Sequence, residues 1–96
     1  MKKVTFLNYK CLVDTQDTYL NGATAIQLYE EDTGEPVAHA TINVMQGLIK
    51  QNEVVIKNYS ENEGILDSLI EGGVISKPLR HIPISEWVTA PVCTLL

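Results

Sequence analysis

The stretch spanning residues 58–73 constrains the fold more than any other, because it reads as one helix with both ends marked. Ser60 precedes Glu63 by three positions. At that spacing a hydroxyl and a carboxylate can each satisfy a backbone N–H that the first helical turn leaves orphaned. Gly72 and Gly73 follow, and glycine accepts the left-handed conformation in which many helices end. Between them Ile65, Leu66, Leu69 and Ile70 recur at helical spacing and fall on one face. Such a stripe must be buried, and the only large apolar partner in this chain is the face of a sheet.

The strands announce themselves by composition and by alternation. Residues 2–13 are rich in Val, Thr, Phe, Tyr, Cys and Leu and predict a first strand. The polar run that follows ends in Asn21-Gly22, a turn signal. Residues 23–30 predict a second strand, with Ile26 and Leu28 alternating against Gln27 and Tyr29. A turn at residues 31–36 leads to a third strand over 37–44. There Ala38, Ala40, Ile42 and Val44 share one face, and His39, Thr41 and Asn43 share the other. The second and third strands are expected to form a hairpin. Residues 45–52 are compatible with one helical turn through Met45, Leu48 and Ile49, and equally with a loop, since Gly47 weakens the helix. A short fourth strand over 53–58 runs into the helix. Val74-Ile75 suggests a brief extended piece. Pro78 and Pro83 predict an ordered but irregular segment over 76–85. Residues 86–96 predict a last strand, and Pro91 suggests that it lies at an edge or begins there. The order β-β-β-β-α-β predicts an α+β domain over residues 1–96: a mainly antiparallel sheet of about five strands, with one capped helix packed on one face.

Composition then excludes function classes. The 96 residues are 45% hydrophobic and 20% charged, ordinary globular material for one domain. A formal net charge of −5 argues against direct nucleic-acid binding, which depends on Lys and Arg neutralising phosphates. Only Lys77, Arg80 and His81 cluster among the cations, as a solvated loop would. No apolar run reaches the ~20 residues of a membrane span, and Asn8, Lys10 and Asp14 interrupt any signal-peptide core. Two cysteines, Cys11 and Cys93, are too few for a disulfide scaffold, so reduced thiols in a cytoplasm are the expectation.

No constellation carries catalysis. Glu61 and Glu63 lie two apart and point about 200° away from each other on a helix, so capping and the helix dipole account for them better than a shared ligand. Glu30, Glu31, Asp32 and Glu35 form the densest acidic patch. They lack the spacing of a calcium loop and read as a charged hairpin tip or a contact surface for a basic partner. His39 and His81 with Cys11 and Cys93 match neither zinc spacing nor a nucleophilic pair. Gly72-Gly73 follows a helix, the wrong polarity for holding phosphate. Trp87 and Tyr59 read either as core aromatics or as interface anchors. No metal or cofactor is expected. The residues expected at a partner contact are Tyr59, Glu61, Asn62, Glu31, Asp32 and Trp87.

The block from Ile56 through Tyr59-Ser60-Glu61-Asn62-Glu63-Gly64 to Leu66, with Leu69, Gly73-Val74-Ile75 and Pro91-Val92-Cys93, resembles a family of small uncharacterised proteins from bacteriophages and conjugative elements. The segments Gly22-Ala23-Thr24-Ala25-Ile26-Gln27-Leu28 and Gly34-Glu35-Pro36-Val37-Ala38-His39-Ala40-Thr41 are similar to that family as well. The resemblance brings no established activity. It implies a mobile-element accessory protein of the host cytoplasm. The expected function is then non-enzymatic: binding and inhibiting a host protein, such as a nucleic-acid-binding defence enzyme, in the manner of an anti-CRISPR. The alternative is a nucleotide-binding sponge acting as a homo-oligomer. An edge strand carrying Pro91 and the tail from Val92 to Leu96 offer a route to a homodimer.

Overall fold

Leu7 and Asn8 both take positive φ, 51° and 67°, and so fold the chain back on itself almost at once. The computed structural model describes residues 1–45 and 47–96. Lys2–Phe6 (β1) and Tyr9–Thr18 (β2) are antiparallel, with Phe6 opposite Tyr9. The single strand expected over 2–13 is therefore a hairpin. A two-residue hairpin loop of this kind needs positive φ at both central residues. Asn8 is permissive there, but Leu7 is an apolar residue that reads as strand. β2 also extends to Thr18, with its register irregular between Asp14 and Asp17, and takes in part of the polar run that precedes the Asn21-Gly22 turn. The Asn21-Gly22 turn forms where predicted: Gly22 has φ 86° and donates to the Tyr19 carbonyl at 2.9 Å. Thr24–Glu30 (β3) and Pro36–His39 (β4) make the expected hairpin around Gly34. The four strands form one antiparallel sheet in the order β1-β2-β3-β4.

The second sheet contains Glu53–Val55 (β5), Arg80–Pro83 (β6) and Thr89–Thr94 (β7), ordered β5-β7-β6. Two expectations fail here. Residues 76–85 are not irregular throughout, because Arg80–Pro83 pairs with β7. And β7, with Pro91 in its middle, is the central strand, not an edge. Proline is tolerated because it stands where the β5–β7 ladder runs out. The Pro91 carbonyl accepts the Ile56 N–H at 3.0 Å, and a proline has no N–H to return. The chain is thereby released from β7 at Ile56 and pairs on its other side with Thr41. Ile42 donates to the Val55 carbonyl at 3.0 Å, and Lys57 to the Ala40 carbonyl at 2.9 Å. Ile56 thus joins the two sheets. Ile75 pairs with Leu95, as the brief extended piece at 74–75 suggested. The described part of 45–52 is turn and loop; Gln46 lies outside the described residues.

The helical region is also recast. Ser60–Asn62 is one 3₁₀ turn, and the α-helix is Ile65–Glu71 (α1), separated from it by Gly64 at φ 94°. Ser60 itself sits at φ 56° and caps nothing. The orphan amides are met instead by Asn58, whose Oδ1 accepts from Gly64 N at 3.2 Å and from Leu66 N at 2.9 Å. The glycine end is as expected: Val74 N reaches the Leu69 carbonyl at 3.0 Å, with Gly73 at φ 71°. Gly72 is fixed by packing. A Cβ there would lie 2.4 Å from Val4 Cγ1 and 3.0 Å from the Lys3 carbonyl.

The result is an α+β fold with one main core. Ile65 and Leu69 of α1 are fully buried against Val4, Phe6, Cys11, Val13, Ile26 and Leu28 of the larger sheet, with Val54, Ile56 and Cys93 from the smaller one. On the far face of the small sheet Val55, Ala90 and Val92 are covered by Ile42, Val44, Ile49 and Ile82. β5 is therefore buried on both faces.

Candidate interaction surface

Trp87 is 89% exposed. The core role is overturned, and the reason is positional. Trp87 lies in the tip of the β6–β7 hairpin, beyond both strands, where no core reaches it. The tip is held by its own backbone: Ile84 N and Ser85 N both donate to the Val88 carbonyl, at 2.8 and 3.2 Å. Trp87 N donates to Ser85 Oγ at 3.3 Å. Ile84 beside it is exposed, and Leu79, at the other end of β6, is 56% exposed. A tied loop presenting an indole and an aliphatic side chain loses little further freedom on binding.

β6 is an open edge. Its pairing is with β7 alone, and the order of the small sheet places it outermost. β1, the outer strand of the large sheet, is instead overlain by the end of α1, where Gly72 approaches the Lys3 carbonyl. In an antiparallel ladder, neighbouring residues turn their amides to opposite sides. The Pro91 carbonyl bonds Ile56 on the β5 side. Its partner across β6, His81, therefore turns N–H and carbonyl outward.

Behind this edge lies a charge pair with a buried carboxylate and a half-exposed guanidinium. The Arg80 fork donates to both Glu53 carboxylate oxygens, at 2.9 and 2.8 Å, and to the Leu48 carbonyl at 3.1 Å. Lys50 N adds a bond to Glu53 Oε1 at 2.7 Å. The Arg80 guanidinium, then the Lys50 amide, hold the Glu53 carboxyl well below the usual carboxylate range, at about 2. The clamp fixes the loop before β5 against β6.

The other expected contact residues scatter. Asn62 is buried at 2% exposure, so it is corrected from contact residue to scaffold: its Nδ2 donates to the His39 carbonyl at 2.7 Å. Glu61 is exposed but paired with Lys57, and Glu31 is paired with Lys3 at 2.5 Å. Each lysine lowers its partner's carboxyl and neutralises part of the acidic surface. Tyr59 is half-buried, with the Lys57 ammonium 5.7 Å from its ring centre. Asp32 is exposed at the β3–β4 turn. Trp87 lies in neither sheet, at the tip of the β6–β7 hairpin.

Sequence reasoning missed one polar chain. Tyr19 Oη bonds His39 Nε2 at 2.8 Å and Thr41 Oγ1 at 2.9 Å, and His39 Nδ1 bonds Gln27 Oε1 at 2.8 Å. Ile26 N donates to Thr41 Oγ1 at 3.1 Å. An amide carbonyl only accepts, so Nδ1 carries the proton and Nε2 accepts from Tyr19, which in turn accepts from Thr41. Both ring nitrogens are engaged in hydrogen bonds within the protein. The signal was present as the shared face of His39 and Thr41, but Thr41 is itself buried and Tyr19 lay in the polar run before the Asn21-Gly22 turn. The thiols are equally unsuited to nucleophilic work: both are fully buried, and burial raises Cys11 and pushes Cys93 up to about 11. Among the described residues no three His, Cys, Asp or Glu side chains converge as a metal site. A cleft of about 450 Å³ lies between the Asn21-Gly22 turn and the loop from Val44 to Glu53, but none of its described lining residues is aromatic. A nucleobase would find nothing there on which to stack.

No known protein family, curated protein or solved structure matches the chain.

Proposed function

We propose that this chain is a non-enzymatic binding protein, a mobile-element accessory factor that occludes a host protein, and that it does so through the β6–β7 hairpin tip. One observation carries this reading: the only tryptophan of the chain stands 89% exposed on a loop tied by its own hydrogen bonds. A large aromatic held in water contributes nothing to this fold, whereas interfaces concentrate their energy in tryptophan, tyrosine and arginine. The sequestered thiols and the fully engaged His39 support the same reading, because three of the chain's four Cys and His side chains are committed to structure.

The test is Trp87→Ala. Stability should stay within about 0.5 kcal/mol of wild type, as for an unsupported surface residue. Capture of the host partner, identified by cross-linking to the wild-type protein, should weaken by roughly thirtyfold, the loss of a hot spot worth about 2 kcal/mol. Undiminished capture by the variant would remove the hairpin from the interface.

A further inference from the structure

We infer that the β6 edge takes an acidic, extended segment of the partner, which adds to the small sheet as a further strand beside His81 and lays its next side chains against Trp87; this rests on the hairpin tip being the binding surface. Three observations on separate residues converge. The first is an unpaired strand edge: His81 directs both its N–H and its carbonyl outward, the pair of groups an added antiparallel residue needs. The second is apolar exposure at both ends of that edge, Leu79 at one and Ile84 and Trp87 at the other. Side chains alternating along an extended segment would meet them in turn. The third is charge. The chain carries −5, yet none of its 12 acidic residues falls between Gly73 and Ser85, where Lys77, Arg80 and His81 lie. Arg80 is already met by Glu53, but Lys77 is exposed and has no ion-pair partner among the described residues. The nearest carboxylate in sequence on this side of Gly73, Glu86, lies at the hairpin tip beside Trp87, so the uncompensated cation stands at the Lys77 end of the edge and favours an acidic side chain of the added segment there. Pro83 supplies only a carbonyl on the outer side and ends the ladder, so the pairing is short and Trp87 must supply the remaining grip.

The experiment uses the whole protein and a short synthetic peptide alternating glutamate and valine, with the same peptide carrying lysine for glutamate as its control. Trp87, as the sole tryptophan, reports binding by its emission, and the backbone amide shifts of β6 report where the peptide lies. The acidic peptide should shift Trp87 emission to the blue and move the His81 amide, and added salt should weaken it. Lys77→Glu should weaken it roughly threefold to tenfold. His81→Pro, which deletes an N–H that no ladder uses, should abolish the amide response. His81→Glu serves as the second variant, keeping the N–H while adding a negative charge, and should weaken binding without abolishing the response. Preference for the lysine peptide, or no response to either, overturns the inference. So does a wild-type protein that sediments as a dimer through β6, which would make a second copy the occupant. If the peptides fail while Trp87→Ala still abolishes partner capture, the hairpin reading stands and only the acidic strand falls. If capture survives Trp87→Ala, the hairpin reading itself fails.

Discussion

Single residues in this chain do unlike jobs that their chemistry alone does not separate. Glu53 is a carboxylate among 12 acidic residues, yet it alone is buried, at 9% exposure, and gripped by an arginine fork. Its folded pKa is lowered from 4.5 to about 2. A lowered folded pKa means that the unfolded chain binds the proton more readily. The stabilisation is therefore present above about pH 4.5 and is lost as pH falls toward about 2. With Arg80 partly in water, we expect about 2 kcal/mol from this source. Urea unfolding of wild type and Glu53→Gln should show a stability difference that shrinks by that amount between about pH 6 and about pH 2.5. A pH-independent difference would mean that the carboxyl is not clamped. Sequence showed the acidic residues but not this one's partner, because Arg80 lies 27 positions away and meets it only through the order of the small sheet. Trp87 makes the same point inversely: its chemistry suited core and interface alike, and its place beyond two strand ends put it in water.

Elements were legible where local signals act alone. The Asn21-Gly22 turn, the β3–β4 hairpin and the Gly72-Gly73 helix end each rest on backbone preferences of two or three residues, and each formed as read. The helix start did not. Ser-x-x-Glu spacing is one way to satisfy the first amides, but Asn58 reaches two of them across the 3₁₀ turn. Asn62, drawn inward to the His39 carbonyl, holds that turn in place. The two caps make opposite predictions. Asn58→Ala should cost about 1 kcal/mol in thermal or denaturant unfolding. Ser60→Ala should cost close to nothing, and Ser60→Gly should be neutral or stabilising, since Ser60 holds φ at 56°. A larger loss at Ser60 than at Asn58 would restore the capping box. The hairpin hidden in residues 2–13 escaped notice because Leu7 takes a conformation that its side chain disfavours, and only the Phe6–Tyr9 pairing enforces it.

At the scale of the molecule the decisive residue is Ile56. Its N–H goes to Pro91 in one sheet, while its neighbours bond to Ala40 and Ile42 at the edge of the other. Its side chain is fully buried in the core that both sheets share with α1. Ile56→Ala should cost about 2–5 kcal/mol. Amide exchange should then show β2, β3 and β7 opening together, with no selective loss of the small sheet. Independent melting of the two sheets would show that Ile56 is not their joint. The same order decides which surface is free: β7 is enclosed, β1 is overlain by the end of α1, and β6 is left at the margin with the hairpin tip beside it. The route to a homodimer through a Pro91 edge closes with it. The sequence by itself determined the class of fold, most of the strands and the apolar faces, because period and turn chemistry act within a few residues. The tertiary structure alone decided which proline is interior, which carboxylate is clamped and which aromatic meets the solvent. Those outcomes depend on strand order and on partners far along the chain, and no local pattern encodes them.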